Sequence, residues 1–112
     1  MLRRAAPRSK TATMNPPSIH TEMLRVPATH PALPGHFPGR PLVPGVVLLD
    51  RVVAAVERVW HARVSGFAQV KFRRPLLPEH MAELYIERGA QLHFRIHAAD
   101  ELLASGIAEL AE

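Results

Sequence analysis

The placement of proline along the chain restricts its fold more than any other feature. Residues 27–44 contain six prolines and two glycines, so this segment can form neither a helix nor a central strand. After Gly45 no proline or glycine occurs up to Val59. The chain must therefore pass from a long loop directly into a regular element. Because long structured loops are uncommon in small domains and are often functional, the loop is the first place to look for chemistry.

The element that follows is predicted to be a helix from Gly45 to about Val59. Apolar side chains recur there at spacings of three or four, the periodicity of a helix face; these are Val46, Leu49, Val53, Val56 and Trp60. Further valines and leucines widen the stripe to most of the circumference, which predicts a buried helix. Pro44 suits the start of the helix because its missing N–H is not needed in the first turn.

The rest of the chain predicts strands, because apolar and polar residues alternate. Such runs cover residues 67–73, 83–88, 91–98 and, less regularly, 102–110, and one short strand is expected within 19–26. In the first of these runs Ala68, Val70 and Phe72 form the predicted packed face. Hairpin turns are expected at Gly89-Ala90 and Asp100-Glu101. The predicted fold class is α+β, with an antiparallel meander after the helix and one sheet that buries that helix.

The positive charge is confined to the start of the chain. The net charge is +4, and residues 1–17 hold four basic and no acidic side chains, whereas residues 18–112 hold ten of each. The predicted organisation is a basic disordered leader at 1–17, with no role in the chemistry, and one folded domain at 18–112. Nucleic-acid binding through the leader is the weakest functional hypothesis, since only 5% of residues are aromatic and a base-stacking surface needs more.

Composition excludes several other chemistries. The chain has no cysteine, which excludes disulfides, thiolate catalysis and cysteine-bound metals. His93 and His97 share a predicted strand face, but a metal site would need a third ligand from a distant segment, and no metal is expected. The longest apolar run is far shorter than a membrane span, so a cytoplasmic protein without a membrane segment is expected. A body of about 95 residues buries a modest fraction of its surface, which favours a dimer.

Two side chains near the loop-to-helix junction have the types that acid–base chemistry needs. His36 lies between Pro34 and Pro38, and a stiff loop fixes an imidazole that titrates near neutral pH. Asp50 follows on the helix among apolar neighbours, where desolvation favours the protonated carboxyl. The N–H of Gly45 at the helix start can stabilise charge on a carbonyl oxygen. Taken from spacing alone, a loop-bracing histidine and a solvent-facing aspartate remain the simpler interpretation.

The same segment resembles a known signature. Residues 35–46 have the sequence Gly-His-Phe-Pro-Gly-Arg-Pro-Leu-Val-Pro-Gly-Val, and an acid follows fourteen positions after the histidine. This resembles the FabA/FabZ family of 3-hydroxyacyl-[acyl-carrier-protein] dehydratases, which have the hot-dog fold, an antiparallel sheet wrapped around one long helix in a dimer. Residues 70–78, Val-Lys-Phe-Arg-Arg-Pro-Leu-Leu-Pro, are similar to the strand that follows the helix in that family. The short N-terminal side resembles the dehydratase-like members of aryl polyene pathways.

The resemblance implies roles for particular residues. It places the catalytic histidine on His36, the catalytic acid on Asp50, and the substrate-binding backbone amides on Gly45 and Phe37. It also implies that the two catalytic side chains come from different subunits of a homodimer or a related heterodimer, with the acyl chain in a tunnel beside the helix. The implied partner is an acidic acyl carrier protein, for which Arg40, Lys71, Arg73 and Arg74 are candidate docking cations. The implied reaction uses no cofactor besides the phosphopantetheine of the carrier protein.

Departures from the family pattern keep other functions open. Ala54 stands where the family usually has glutamine, and Glu79-His80 stand where it usually has glycine and aspartate. One alternative is a non-catalytic acyl-binding subunit that completes a dehydratase heterodimer. Another is an acyl thioesterase on the same fold, which would release free thiol without forming an enoyl product.

Overall fold

The computed structural model describes residues 17–33 and 42–111, which form one helix and one five-stranded sheet. The elements are β1 (Ile19–Leu24), α1 (Gly45–Trp60), β2 (Val64–Phe72), β3 (Ala82–Arg88), β4 (Leu92–Ala98) and β5 (Glu101–Leu110). The strand order is β1-β3-β4-β5-β2, and each neighbouring pair is antiparallel. The helix packs against one face of the sheet, which confirms the predicted α+β class.

The predicted meander is confirmed for β3, β4 and β5 but is wrong for β2. Strand β2 pairs with β5 and forms the edge of the sheet opposite β1. The connection to β3 runs over residues 73–81 and contains Pro75 and Pro78, so it cannot form a tight hairpin. It passes the start of the helix instead, where Leu76 is buried and the N–H of Val43 donates to the Leu76 carbonyl oxygen at 2.9 Å.

The core lies between α1 and the inner face of the sheet. The alternation along β3 and β4 sets this face, and its fully buried side chains are Leu84, Ile86, Leu92, Phe94 and Ile96. The helix contributes Val47, Leu48, Val52, Ala55, Val56 and Trp60. Each large aliphatic or aromatic side chain buried in this way stabilises the fold by about 1.5–3 kcal/mol relative to exposure.

The other face of α1 is exposed in the single chain. Val46, Asp50, Ala54 and Glu57 lie on it, and 61% of the Val46 surface is accessible. The prediction of a helix buried around most of its circumference is therefore wrong for one chain, because a single sheet covers only one side of a helix. Within the described residues no helix is long and apolar enough to cross a membrane.

Strand β2 carries two irregularities in its pairing with β5. The register shifts between Val64 and Gly66 and again between Phe67 and Gln69, as at a β-bulge. A bulge reverses the phase of the alternation, so Phe67 packs on the core and Ala68 is exposed. The predicted packed face is therefore wrong at Ala68, whereas Val70 packs on the core as predicted. The Phe67 ring meets the Phe94 ring edge to face, with centroids 5.8 Å apart.

A polar cluster ties β1 to the end of α1. The His20 Nε2–H donates to the Glu22 carboxylate at 2.7 Å, and Arg58 forms an ion pair with the same carboxylate. The Trp60 Nε1–H donates to the Pro17 carbonyl oxygen at 2.7 Å. Partial burial acts to raise the pKa of Glu22, but the hydrogen bonds from His20 and Arg58 outweigh it and hold the pKa below its ordinary value.

Replacing Glu22 by glutamine is expected to lower the Tm at neutral pH. A carboxyl whose pKa is lower in the folded chain stabilises the fold above its unfolded pKa, and this contribution disappears as the pH falls through the folded pKa. The Tm difference between the Glu22→Gln variant and the wild type should thus be a few degrees near pH 7 and close to zero in strong acid. Thermal unfolding followed by circular dichroism across this range measures it, with Glu87→Gln as the exposed control. A difference that stays constant in acid would contradict the assignment.

Candidate functional site at the start of the helix

The helix begins where the proline-rich loop ends. Pro44 has an extended backbone, with φ −60° and ψ 143°, and no side chain caps the first turn. The first N–H groups of an α-helix have no partner within the helix and carry partial positive charge. Gly45 is the first residue of this helix and lies at its positive end, and its predicted role toward a carbonyl oxygen stays a prediction.

An apolar recess of about 310 Å³ opens beside Gly45. Leu42, Val43 and Leu48 line it from the helix side, and Phe72, Pro75 and Leu76 line it from the end of β2 and the segment that follows. Arg73 and Arg74 supply two cations to the lining. Such a recess suits a ligand with an apolar part beside an anionic or strongly polar part.

Gly45 allows an unusually close approach of an aromatic ring. A Cβ atom at this position would lie 2.6 Å from Cζ of Phe72, well inside van der Waals contact. The glycine thus lets the Phe72 ring rest against the backbone at the helix start, although 53% of the Phe72 surface is still exposed. The sequence predicted Phe72 only as a residue of the packed face of its strand, and its place beside Gly45 at the recess was not predicted.

Asp50 lies on the free face of α1 and not in the recess. Val46 and Ala54, one turn before and after it, are exposed with it. The predicted desolvation of the Asp50 carboxylate is therefore absent from the single chain. The Asp50 carboxylate would be desolvated only if a second protein surface covered this face of the helix.

Three of the predicted site residues, His36, Phe37 and Arg40, lie outside the described residues. Their predicted roles as catalytic base, substrate-binding amide and docking cation stay predictions. The described residues on either side, Leu33 and Leu42, are buried and half-buried.

The remaining predicted cations occupy two environments. Arg74 Nε lies 2.9 Å from Glu101 Oε2, with both side chains more than half exposed, so this ion pair contributes little to stability. Lys71 and Arg73 are exposed on β2 and just after it. The partner of Lys71 in the neighbouring strand β5 is Ser105.

A five-stranded antiparallel sheet packed on one long helix, with a ligand-sized recess at the start of that helix, defines the hot-dog fold class. Solved structures support the class. The chain is similar to a chain in "The Dehydratase Heterocomplex ApeI:P from Xenorhabdus doucetiae", with a TM-score of 0.73 and 29% identity over 88% of this chain and 100% of that one. It is also similar to an uncharacterized protein from Erwinia carotovora subsp. atroseptica, with a TM-score of 0.73 and 26% identity over 88% of each chain.

The family follows from the sequence match. The model of the ApeI-like family, described as ApeI dehydratase, matches residues 12–107, and the chain belongs to this family. Relatives named 3-hydroxyacyl-[acyl-carrier-protein] dehydratase FabZ are 30% identical in Mannheimia succiniciproducens, over 51% of this chain, and 33% identical in Thermomicrobium roseum, over 57%. The matched part spans 45% and 49% of those two relatives, so the chain covers about half their length. The predicted family resemblance is confirmed.

Proposed function

We propose that the chain dehydrates a 3-hydroxyacyl thioester, held on an acyl carrier protein, to the trans-2-enoyl thioester and water. The observation that carries the proposal is that an apolar recess lies at the start of α1. The chain that holds this recess belongs to a dehydratase family. The recess offers apolar walls to an acyl chain and backbone N–H groups to its thioester carbonyl. The FabZ relatives bear the name of the same reaction class.

The proposed mechanism starts from the polarity of the thioester. The N–H of Gly45 donates to the thioester carbonyl oxygen and stabilises the negative charge that develops there. Neutral His36 removes a proton from C2, and the electron pair forms the double bond to C3. Protonated Asp50 gives its proton to the departing C3 hydroxyl, which leaves as water. His36 is then protonated and Asp50 ionised, and proton transfer through solvent restores the starting forms.

A second chain completes the proposed site. Asp50 is exposed on a free helix face, and the neighbouring Val46 is an exposed aliphatic side chain. Strand β2 forms an edge of the sheet, with the exposed Phe72 at its end. A second hot-dog chain placed along this edge would cover Val46 and Asp50, desolvate the carboxyl and bring its own His36 loop toward it. The partner would be a second copy or a related subunit.

Turnover by the purified chain tests the proposal. The chain is mixed with a 3-hydroxyacyl carrier protein, and enoyl thioester is followed by its ultraviolet absorbance while free thiol is titrated in parallel. We expect enoyl formation without thiol release, from a species that sediments as a dimer. Thiol release without enoyl formation would contradict the proposed dehydratase activity and indicate a thioesterase instead. No reaction, either alone or with a second dehydratase subunit, would overturn it.

A non-catalytic subunit is the second candidate function. One solved structure to which the chain is similar is described as a dehydratase heterocomplex, and Ala54 stands where the resemblance leads us to expect glutamine. This candidate requires that the chain alone forms no enoyl thioester and that activity appears when a second subunit is added. In that mixture, an Asp50→Asn change in this chain alone distinguishes the two candidates, because only a catalytic role would make the mixture lose activity.

A further inference from the structure

The outer face of the sheet, opposite α1, carries a small recess near its β1 edge, with a volume of about 240 Å³. Its lining residues are Met23, Met81, Ala82, Glu83, His97 and Ala99. Met23 lies on β1, Glu83 on β3 and His97 on β4, while Met81 directly precedes β3. The sheet therefore brings two thioethers, a carboxylate and an imidazole to one place, which we call the methionine recess.

Strand register explains why these side chains share one face. Met23 pairs with Glu83, and Glu83 pairs with His97, so the three residues form a row across neighbouring strands. Paired residues of antiparallel strands have Cβ atoms about 4.5–5.5 Å apart. Leu84 and Ile96, the neighbours of this row along β3 and β4, are fully buried on the inner face, which places the row on the outer face.

Both methionines are unusually exposed for their residue type. The accessible fraction of the surface is 55% for Met23 and 51% for Met81, although methionine is among the residue types most often buried. Within residues 17–33 and 42–111 neither side chain belongs to the core, so core packing does not account for methionine at these positions. A methionine side chain has three rotatable bonds and a polarizable sulfur, which lets two neighbouring thioethers turn toward a common ligand.

The imidazole of His97 is available as a third ligand. His97 is half-buried, and the ion pairs in the described part of the chain include neither His97 nor Glu83. Imidazole nitrogen is the commonest metal ligand among side chains. The negative charge of Glu83, in the same row, favours a cation in the recess.

The donor set selects a soft cation. Thioethers are soft ligands that favour Cu(I), and imidazole also suits copper, whereas carboxylates and waters suit Mg²⁺ or Ca²⁺. No three histidine or acidic side chains among residues 17–33 and 42–111 are placed to hold a metal ion together, so the described residues offer no complete site without sulfur. From the sequence no metal was expected, because His97 lacked a third ligand from a distant segment. The sheet supplies such ligands as the sulfur atoms of Met23 and Met81.

We propose that Met23, Met81 and His97 bind Cu(I), a soft monovalent cation, in the methionine recess. Two thioether sulfurs and one imidazole nitrogen hold the cation, and Glu83 offsets its charge. The site goes beyond the proposed function, because its lining residues are different from those of the recess beside Gly45. An apolar protein surface is a poorer occupant, since it would cover the carboxylate and the imidazole without giving them partners.

A silver titration of the full chain, labelled with ¹³C in the methionine methyl groups, tests the site. Ag(I) is the probe because it is a soft cation with the charge of Cu(I), and the buffer contains no chloride. We expect the methyl resonances of Met23 and Met81 to shift together and to saturate at one equivalent, while that of Met14 in the leader stays in place. The absence of a saturable shift at Met23 and Met81 would overturn the proposal, as would an equal shift at Met14.

Matched variants assign the ligands. Met23→Leu with Met81→Leu removes both sulfurs at nearly constant size, and Met14→Leu is its control. His97→Gln removes the imidazole, and His93→Gln makes the same change on the same strand, outside the recess. Loss of even an outer-shell partner lowers metal affinity about 10–100-fold. Each site variant should therefore raise the Kd for Ag(I) by about tenfold or more, and each control should leave it unchanged.

Two further ions complete the test. Cu(I), measured anaerobically in competition with bicinchoninate, should follow the same order of variants as Ag(I). Zn²⁺ should bind more weakly than either, because the site depends on thioethers. Silver binding that survives the double leucine change, or zinc binding as tight as silver binding, would contradict a sulfur site. Circular dichroism shows whether each variant is folded, and the titration of the wild type decides if one is not.

Discussion

Replacing His36 by alanine or Asp50 by asparagine is expected to lower kcat for enoyl thioester formation by about 10²–10⁴-fold. His36 is the proposed base at C2 and Asp50 the proposed acid at the C3 hydroxyl, so each variant leaves one proton transfer without a positioned group. Asp50→Asn keeps the size of the side chain and removes only its ability to give a proton. Initial rates of absorbance change with a 3-hydroxyacyl carrier protein measure the loss.

Matched controls separate this loss from a general effect of substitution. His80→Ala and Asp100→Asn make the same chemical changes at exposed positions after β2 and in the β4–β5 turn, and both should retain the rate of the wild type. The Tm of all four variants is measured by thermal unfolding, so that a loss of rate caused by unfolding is recognised as such. Full activity in either His36→Ala or Asp50→Asn would contradict the role assigned to that residue.

A mixing experiment tests whether the two groups come from different chains. If each site takes His36 from one chain and Asp50 from its partner, a mixed dimer of the two inactive variants holds one site with both groups and one with neither. Random assembly of equal amounts then restores about a quarter of the activity of the wild type. The exposure of Asp50 on a single chain is the structural reason to expect this result. No recovery after co-expression would mean that both groups act within one chain.

The sequence was most informative where one physical rule dominates. The helix was predicted from Gly45 to about Val59 and is observed from Gly45 to Trp60. The prediction succeeded because Pro44 is the last proline before a run of residues with regular apolar spacing. The strands β3 and β4 match their predicted alternation within one residue, since one face packs on the core and the other meets solvent. Local periodicity is sufficient in these elements.

The failures have a common physical origin in contacts between distant segments. The bulge in β2 depends on its pairing with β5, which the alternation of β2 alone cannot reveal. The place of β2 at the far edge is a matter of topology and not of local pattern. The helix was predicted to be buried nearly all round because its valines and leucines cover most of its circumference. This pattern cannot distinguish burial by the sheet of the same chain from burial by another chain.

In the candidate site too, features set by local sequence were predicted and features set by contacts between distant segments were not. Gly45 was predicted from its place at the helix start, and it does lie at the recess. The place of Phe72 at the recess was not predicted because it depends on a contact with Gly45, 27 positions earlier in the chain. Spacing along the chain indicates the chemistry of a motif, whereas the surfaces that serve it arise from the fold.

The second large effect is expected from Gly106→Ala in β5. A Cβ atom at this position would lie 2.3 Å from the Gln69 carbonyl oxygen and 2.8 Å from two atoms of the Phe94 ring. The first neighbour is backbone in the adjacent strand and cannot swing aside, and the second is a fully buried ring. Relief requires β5 and β2 to separate beside the bulge, so we expect a loss of about 3 kcal/mol in the free energy of unfolding, measured by urea denaturation.

Gly66→Ala is the matched control, because Gly66 lies in the same pair of strands. The nearest atom to a Cβ there is Glu109 Oε1 at 3.9 Å, an ordinary contact, so the free energy of unfolding should change by less than about 0.5 kcal/mol. A Gly106→Ala variant as stable as the wild type would mean that β5 and β2 do not pair this closely. Equal losses in both variants would instead assign the cost to glycine replacement as such. Only a selective loss at Gly106 supports the close pairing that holds β2, and with it Phe72, beside the start of the helix.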